Sequence, residues 1–191
     1  SPIVIGILGA AVLVGAALTC AAVIANSDGY QKSCMQLVDS VSRTLENAKV
    51  IVSEHVRTDS KKNKEQHYVY TLVNDDGEVK YVGRTTDPET RAKAHEKNPA
   101  RAHLTMRVIK DAYGNDLKMD YYTARGLEQT LMLQYKTLDL SKRCLEGNLI
   151  NGIGRYNKNA KLYMAYGITM WDYLGNQVSN EVLNWIENIG K

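Results

Sequence analysis

The sequence predicts an α+β fold: a small three-stranded antiparallel sheet flanked by helices, preceded by an apolar helix and an amphipathic helix. Three observations carry this reading. Residues 67–83 hold two β-rich runs, "HYVYTLV" and "EVKYVG", around the turn "NDDG". Residues 103–109, "HLTMRVI", alternate again, between one helical pattern and another. A charge-free stretch at residues 2–25 stands apart from both.

That stretch reads "PIVIGILGAAVLVGAALTCAAVIA". As a helix rising 1.5 Å per residue it reaches across a bilayer core of roughly 30 Å. Small residues recur four apart (Gly6 and Ala10, Ala11 and Gly15, Ala17 and Ala21), a spacing that lets helices approach closely in lipid. No basic segment precedes it, so it does not read as a secretory signal. The expectation is membrane contact through residues 2–25. The alternatives are a buried helical hairpin or a segment covered by a partner or chaperone. The chain opens Ser-Pro rather than Met, which suggests a processed piece of a longer protein.

After a turn at "NSDGY", apolar residues fall at Val38, Val41, Leu45, Ala48, Val52 and Val56, three or four apart. Asp39, Arg43, Glu46, Lys49 and Glu54 take other positions, so this is an amphipathic helix. Residues 57–66, "RTDSKKNKEQ", have no apolar side chain and read as a linker. Three regions follow: an apolar segment (1–29), an amphipathic helix and linker (30–66), and a globular domain (67–191).

Within that domain, Asp87-Pro88 starts a helix that ends near Lys97, before Pro99. A second helix runs from about Asp120 to Tyr135, with Leu127, Leu131 and Tyr135 on one face. The Gly/Asn-rich "EGNLINGIGRYNKN" reads as an ordered loop. The tail "NEVLNWIENIG" is a closing helix with Val182, Leu183, Ile186 and Ile189 inward.

Net charge is +3, too small to argue for nucleic acid alone. Its distribution says more: residues 84–110 hold seven Lys/Arg against three acids. Such a cluster can neutralise phosphates. Cys20, Cys34 and Cys144 fit no zinc spacing and cannot all pair. Phe is absent while Tyr numbers 12.

Tyr68-Val69-Tyr70, then ten residues, then Tyr81-Val82-Gly83, then Arg91, resembles the GIY-YIG nuclease family. Tyr68 and Val69 replace the usual Gly-Ile of the first motif, while Tyr70 keeps the tyrosine place. Arg91 lies eight residues beyond Gly83, as the family's arginine does. Arg84 stands where some members carry a catalytic lysine. His95 lies where members have tyrosine or histidine, one helical turn from Arg91. The resemblance implies that Glu128 is the metal-binding glutamate and Asn148 the asparagine that often follows, with Asn151 a near competitor. It covers about half of the chain.

These residue types suit phosphodiester hydrolysis, which needs a nucleophilic water, stabilisation of phosphorane charge and help for the leaving oxygen. A divalent ion on Glu128, expected to be Mg²⁺, would act as Lewis acid. Arg91 offers a planar fork to phosphate. Tyr70, Tyr81 or His95 would handle the water's proton. Arg84, Lys93 and Lys97 would bind substrate. A nuclease behind an apolar helix and a charged linker is similar to the tip of a bacterial polymorphic toxin. That implies an antibacterial effector, secreted or translocated into a target-cell cytoplasm and neutralised by an immunity protein. The rival reading is a membrane-acting protein whose C-terminal domain is a catalytically decayed module binding nucleic acid or a partner.

Overall fold

The computed structural model describes residues 28–56, 65–138 and 146–191. Its elements are α1 (Asp28–Glu54), β1 (Tyr68–Val73), β2 (Val79–Thr85), α2 (Pro88–Glu96), β3 (Thr105–Val108), α3 (Tyr121–Gln134), α4 (Ala160–Tyr173) and α5 (Asn180–Glu187). The apolar segment of residues 2–25 lies outside the described residues, as does most of the linker. Among the described residues no helix is long and apolar enough to cross a membrane.

The strands form one antiparallel sheet in the order β2-β1-β3. The hairpin closes as its turn sequence dictates. Asn74 accepts from the Glu78 N–H through its side chain at 2.8 Å, and Gly77 takes a positive φ of 81° that an L side chain resists. β1 is central and buried after its first residue. Alternation sends Tyr70 and Leu72 to one face, where they pack with Leu104, Tyr81, Met106 and Val108. β3 is shorter than the pattern "HLTMRVI" suggested. His103 and Leu104 belong to the turn before it, where the Leu104 N–H donates to the Arg101 carbonyl.

α2 begins as expected, with the Asp87 carboxylate accepting from the Thr90 N–H at 3.0 Å and Pro88 in the first turn. α3 buries Leu127 and Leu131 completely, while Tyr135 caps its end and meets Trp171 edge-on. α4 has no counterpart among the helices named from the sequence. It crosses α3 at glycines: a Cβ added to Gly167 would meet the backbone of Gly126, and would lie 2.7 Å from the Leu127 nitrogen. In α5 Val182 and Leu183 are buried as expected, but Trp185 is buried where Ile186 and Ile189 are only half-buried.

The chain divides into two compact units, one ending at Arg43 and one running from Thr44 to Lys191. In the first, Met35, Leu37 and Val38 of α1 are exposed. In the second, Ala48 is buried, Lys49 lies 3.7 Å from Asp172, and His55 Nδ1 lies 3.0 Å from the Tyr166 hydroxyl. Of the predicted stripe, Val56 falls past the helix end and is exposed.

Candidate active site

Two neighbouring clusters hold most of the expected residues. The first is aromatic. Tyr70 pairs with Gly83 across the hairpin, and Leu72 with Tyr81, so all four residues share a sheet face. Gly83 makes room for the Tyr70 ring: an added Cβ would lie 2.5 Å from Tyr70 Cζ and 2.8 Å from Tyr81 Cε1. The glycine is thus a space requirement set by a tyrosine one strand away. His95, the buried residue of α2, shares a 2.8 Å hydrogen bond between Nε2 and the Tyr70 hydroxyl. The Tyr70, Tyr81 and His95 rings stand 5.5–6.2 Å apart, centroid to centroid.

Electrostatics separate the roles. Burial, reinforced by Tyr81, pushes the Tyr70 phenol far above its ordinary value, so it stays protonated. Burial and the charges of Arg101 and Arg91 hold His95 below the usual histidine range, so it is neutral at neutral pH. Arg91 is exposed on α2, and no carboxylate of the described residues pairs with it. The charges of both Arg91 and Glu128 act on the Tyr70 phenol.

The second cluster is ionic. Alternation directs Arg84 to the face of β2 opposite Gly83, toward α3. There its Nε donates to Glu128 Oε2 at 3.2 Å. The guanidinium also lies 5.1 Å from the Tyr121 ring centre. Burial pushes the Glu128 carboxyl up, while Arg84 and Arg125 oppose the shift.

Residues 66–143 match the family model of the GIY-YIG catalytic domain. The chain carries a GIY-YIG nuclease domain. No curated protein and no solved structure matches it. The matched span of this endonuclease domain contains Tyr70, Tyr81, Arg84, Arg91, His95 and Glu128, while Asn148 lies beyond it.

GIY-YIG nucleases generally use a divalent metal ion. The residues present fit such an ion in a particular way. Among the described residues no group of three His, Cys, Asp or Glu could hold a metal. Glu128 therefore offers a single carboxylate, suited to an ion that keeps water or phosphate oxygens as its other ligands. In the free protein a cation, Arg84, already sits on that carboxylate. A metal ion held there would have to take the place of Arg84 on the carboxylate.

The remaining expected residues divide. Lys93 is exposed and pairs with Glu89 at 2.7 Å, one turn away. Lys97 is exposed at the end of α2. Asn148 is buried and its amide is committed to the backbone of β2. Its Oδ1 accepts from the Val82 N–H at 3.0 Å and from the Thr137 hydroxyl at 2.8 Å, while its Nδ2 donates to the Val82 carbonyl at 2.8 Å. The physical part this geometry gives Asn148 is to hold the strand that carries Tyr81. Asn151 accepts from Gln129, whose own carbonyl anchors the Ile153 N–H next to Glu128. One residue escaped the sequence reading as a member of the site: Arg101 lies 4.0 Å over the Tyr81 ring. Only its place in a basic cluster hinted at it.

Proposed function

We propose that this protein is a divalent-metal-dependent endonuclease that hydrolyses phosphodiester bonds of nucleic acid as an antibacterial effector. The observation that carries the nuclease reading is the meeting of a neutral His95 with Tyr70 and Tyr81 within the electrostatic reach of Arg91 and Glu128. Tyr70 is protonated and 1% exposed, so it orients His95 rather than meeting water. Neutral His95 is the group able to take the water's proton, and the half-buried Tyr81 phenol could only relay one by passing on its own. Arg91 meets the phosphate with a fork of donors. Glu128 would hold the divalent ion, Mg²⁺ by its single-carboxylate chemistry, which when bound supplies Lewis acidity at the leaving oxygen. Arg84, with Lys93 and Lys97 along the same basic stretch, would pair with substrate phosphate.

The effector reading rests on architecture, a nuclease behind the apolar residues 2–25. Those residues serve export or uptake through a membrane, and a cognate immunity protein covers the nuclease site in the producing cell. The test is cleavage of supercoiled plasmid and of tRNA by the purified chain, with and without chelator. Chelator-sensitive cleavage that disappears in Glu128→Gln and Arg91→Ala supports the reading. Undiminished cleavage by both variants overturns it. Production inside bacteria should be toxic with the wild-type chain and harmless with Glu128→Gln.

A further inference from the structure

Arg101 lies in the turn between α2 and β3, fixed by its own N–H on the Asn98 carbonyl and by the Leu104 N–H on its carbonyl, both at 2.9 Å. Its half-buried side chain reaches two other segments at once. The guanidinium lies over the Tyr81 ring, with Cζ 4.0 Å from its centre. Nε donates to the Glu146 carbonyl at 3.2 Å and Nη2 to the Gly147 carbonyl at 3.1 Å. The next residue is Asn148, whose amide holds Val82, the neighbour of Tyr81. The circuit therefore closes on itself: Arg101 to the Tyr81 ring, Tyr81 to Val82, Val82 to Asn148, and the loop before Asn148 back to Arg101. His103, two residues on, adds a 3.2 Å contact to Glu146.

We propose that Arg101 is a positioning residue of the nuclease reaction, locking the Tyr81 ring between the α2–β3 turn and the loop that bears Asn148. The inference rests on the nuclease reading for its kinetic consequence, and on geometry alone for its structural one. A lysine cannot replace it. The site asks for a planar group that stacks on a ring and donates in two directions, whereas an ammonium is a point charge. A packing role alone would be met by an uncharged chain of similar length. The charge matters because Arg101 also presses on His95. The groups facing His95 are Tyr70 from β1, Tyr81 from β2, Arg91 from its own helix and Arg101 from the following turn. With two arginines and no carboxylate among these groups, His95 stays neutral and able to accept a proton. The two carbonyls occupy only two of the five guanidinium N–H donors, so direct phosphate binding is the rival role that the affinity measurement below separates.

The experiment uses the whole chain and three variants: Arg101→Lys, Arg101→Gln and, as an exposed control on β3, Arg107→Gln. One measurement needs no substrate. The His95 ring titration is followed by NMR, with the Tyr81 ring signals recorded alongside. Arg101→Gln should move the His95 titration to higher pH, Arg101→Lys should leave it near wild type, and both should shift the Tyr81 ring signals. The second measurement is single-turnover cleavage with affinity for the same DNA or RNA. Both Arg101 variants should lose rate, by about 10-fold to 10²-fold if Tyr81 moves by near 1 Å, with affinity unchanged. The acid limb of the rate profile should move up only in Arg101→Gln. Affinity falling in parallel with rate would make Arg101 a phosphate ligand and overturn the proposal. Unmoved Tyr81 signals and an unmoved His95 titration in Arg101→Gln would overturn it as well. A wild-type chain that cleaves no nucleic acid would remove the nuclease reading, while the NMR measurement would still decide whether Arg101 holds Tyr81.

Discussion

Adding one methyl group to Gly83 should damage both the fold and the reaction. In Gly83→Ala the new Cβ would lie 2.5 Å from Tyr70 Cζ and 2.8 Å from Tyr81 Cε1. Carbon atoms rest about 3.5–4.0 Å apart, so Tyr70 must retreat by roughly 1 Å. It has nowhere easy to go, because its side chain is 1% exposed and its hydroxyl is held by His95 at 2.8 Å. Overpacking of this kind costs about 1–3 kcal/mol, and losing the hydrogen bond adds about 0.5–1.5 kcal/mol. A destabilisation of about 2–4 kcal/mol is expected in urea melts. The same 1 Å displacement at the reacting groups should lower cleavage by about 10²-fold. The cause can be isolated by adding Tyr70→Phe, which removes the hydroxyl lying nearest the new methyl. Tyr70→Phe should cost less stability in the Gly83→Ala background than alone, a coupling of about 0.5–3 kcal/mol. It should not restore cleavage. If Gly83→Ala melts like wild type, or the two substitutions are simply additive, the steric reasoning fails.

Glu128→Gln should remove cleavage and make folding less sensitive to pH. Because burial raises this carboxyl above its ordinary value of about 4.5, the folded state holds an extra proton above that pH. The associated stability is full below about 4.5 and is lost as pH rises through the folded value. Melts of wild type and variant across pH 4–7 check this, and equal slopes would count against it. Arg91→Ala should lose about 10²–10³ in rate, as for a lost electrostatic donor, and reduce the salt dependence of binding by about one phosphate contact. Arg91→Lys should recover little of the rate, and full recovery would show that the fork geometry is irrelevant. Gly167→Ala sets a Cβ against the backbone of Gly126 and should cost about 3 kcal/mol or more, whereas Gly154→Ala, with nothing within 4 Å, should change stability by less than about 1 kcal/mol. Similar melting of the two would mean that α3 and α4 separate easily.

What the sequence made legible was what local periodicity encodes. The hairpin was readable because alternation on both sides of "NDDG" leaves little choice of register. The start of α2 was readable because Asp87 and Pro88 are chemically suited to that end of a helix. α4 was hidden because eight of its residues, from Ala160 to Trp171, are buried. A helix covered on most sides shows no polar face to reveal its period, and Gly167 in its middle reads locally as a breaker rather than as a crossing point. For the site, the family resemblance singled out Tyr70, Tyr81, Arg91, His95 and Glu128, and local patterns put them on the strands and helices where the structure has them. Spacing does not show which way an amide points, so it could not reveal that Asn148 turns to Val82. Nor does it encode Arg101, whose surroundings come from segments up to 46 residues away from it along the chain.

The grip of Asn148 on Val82 has a bearing on solubility. β2 lies at the border of a three-stranded sheet, where backbone N–H and C=O groups point outward and invite another strand to join. At Val82 both of those groups are already answered by a side-chain amide, which offers one donor and one acceptor just as a neighbouring peptide would. Asn148 thus imitates a single residue of a fourth strand. Strand addition, from a second copy or from an extended peptide, would have to expel it first. The loop residue that the family resemblance had put beside the glutamate thus closes one residue's length of an otherwise open border.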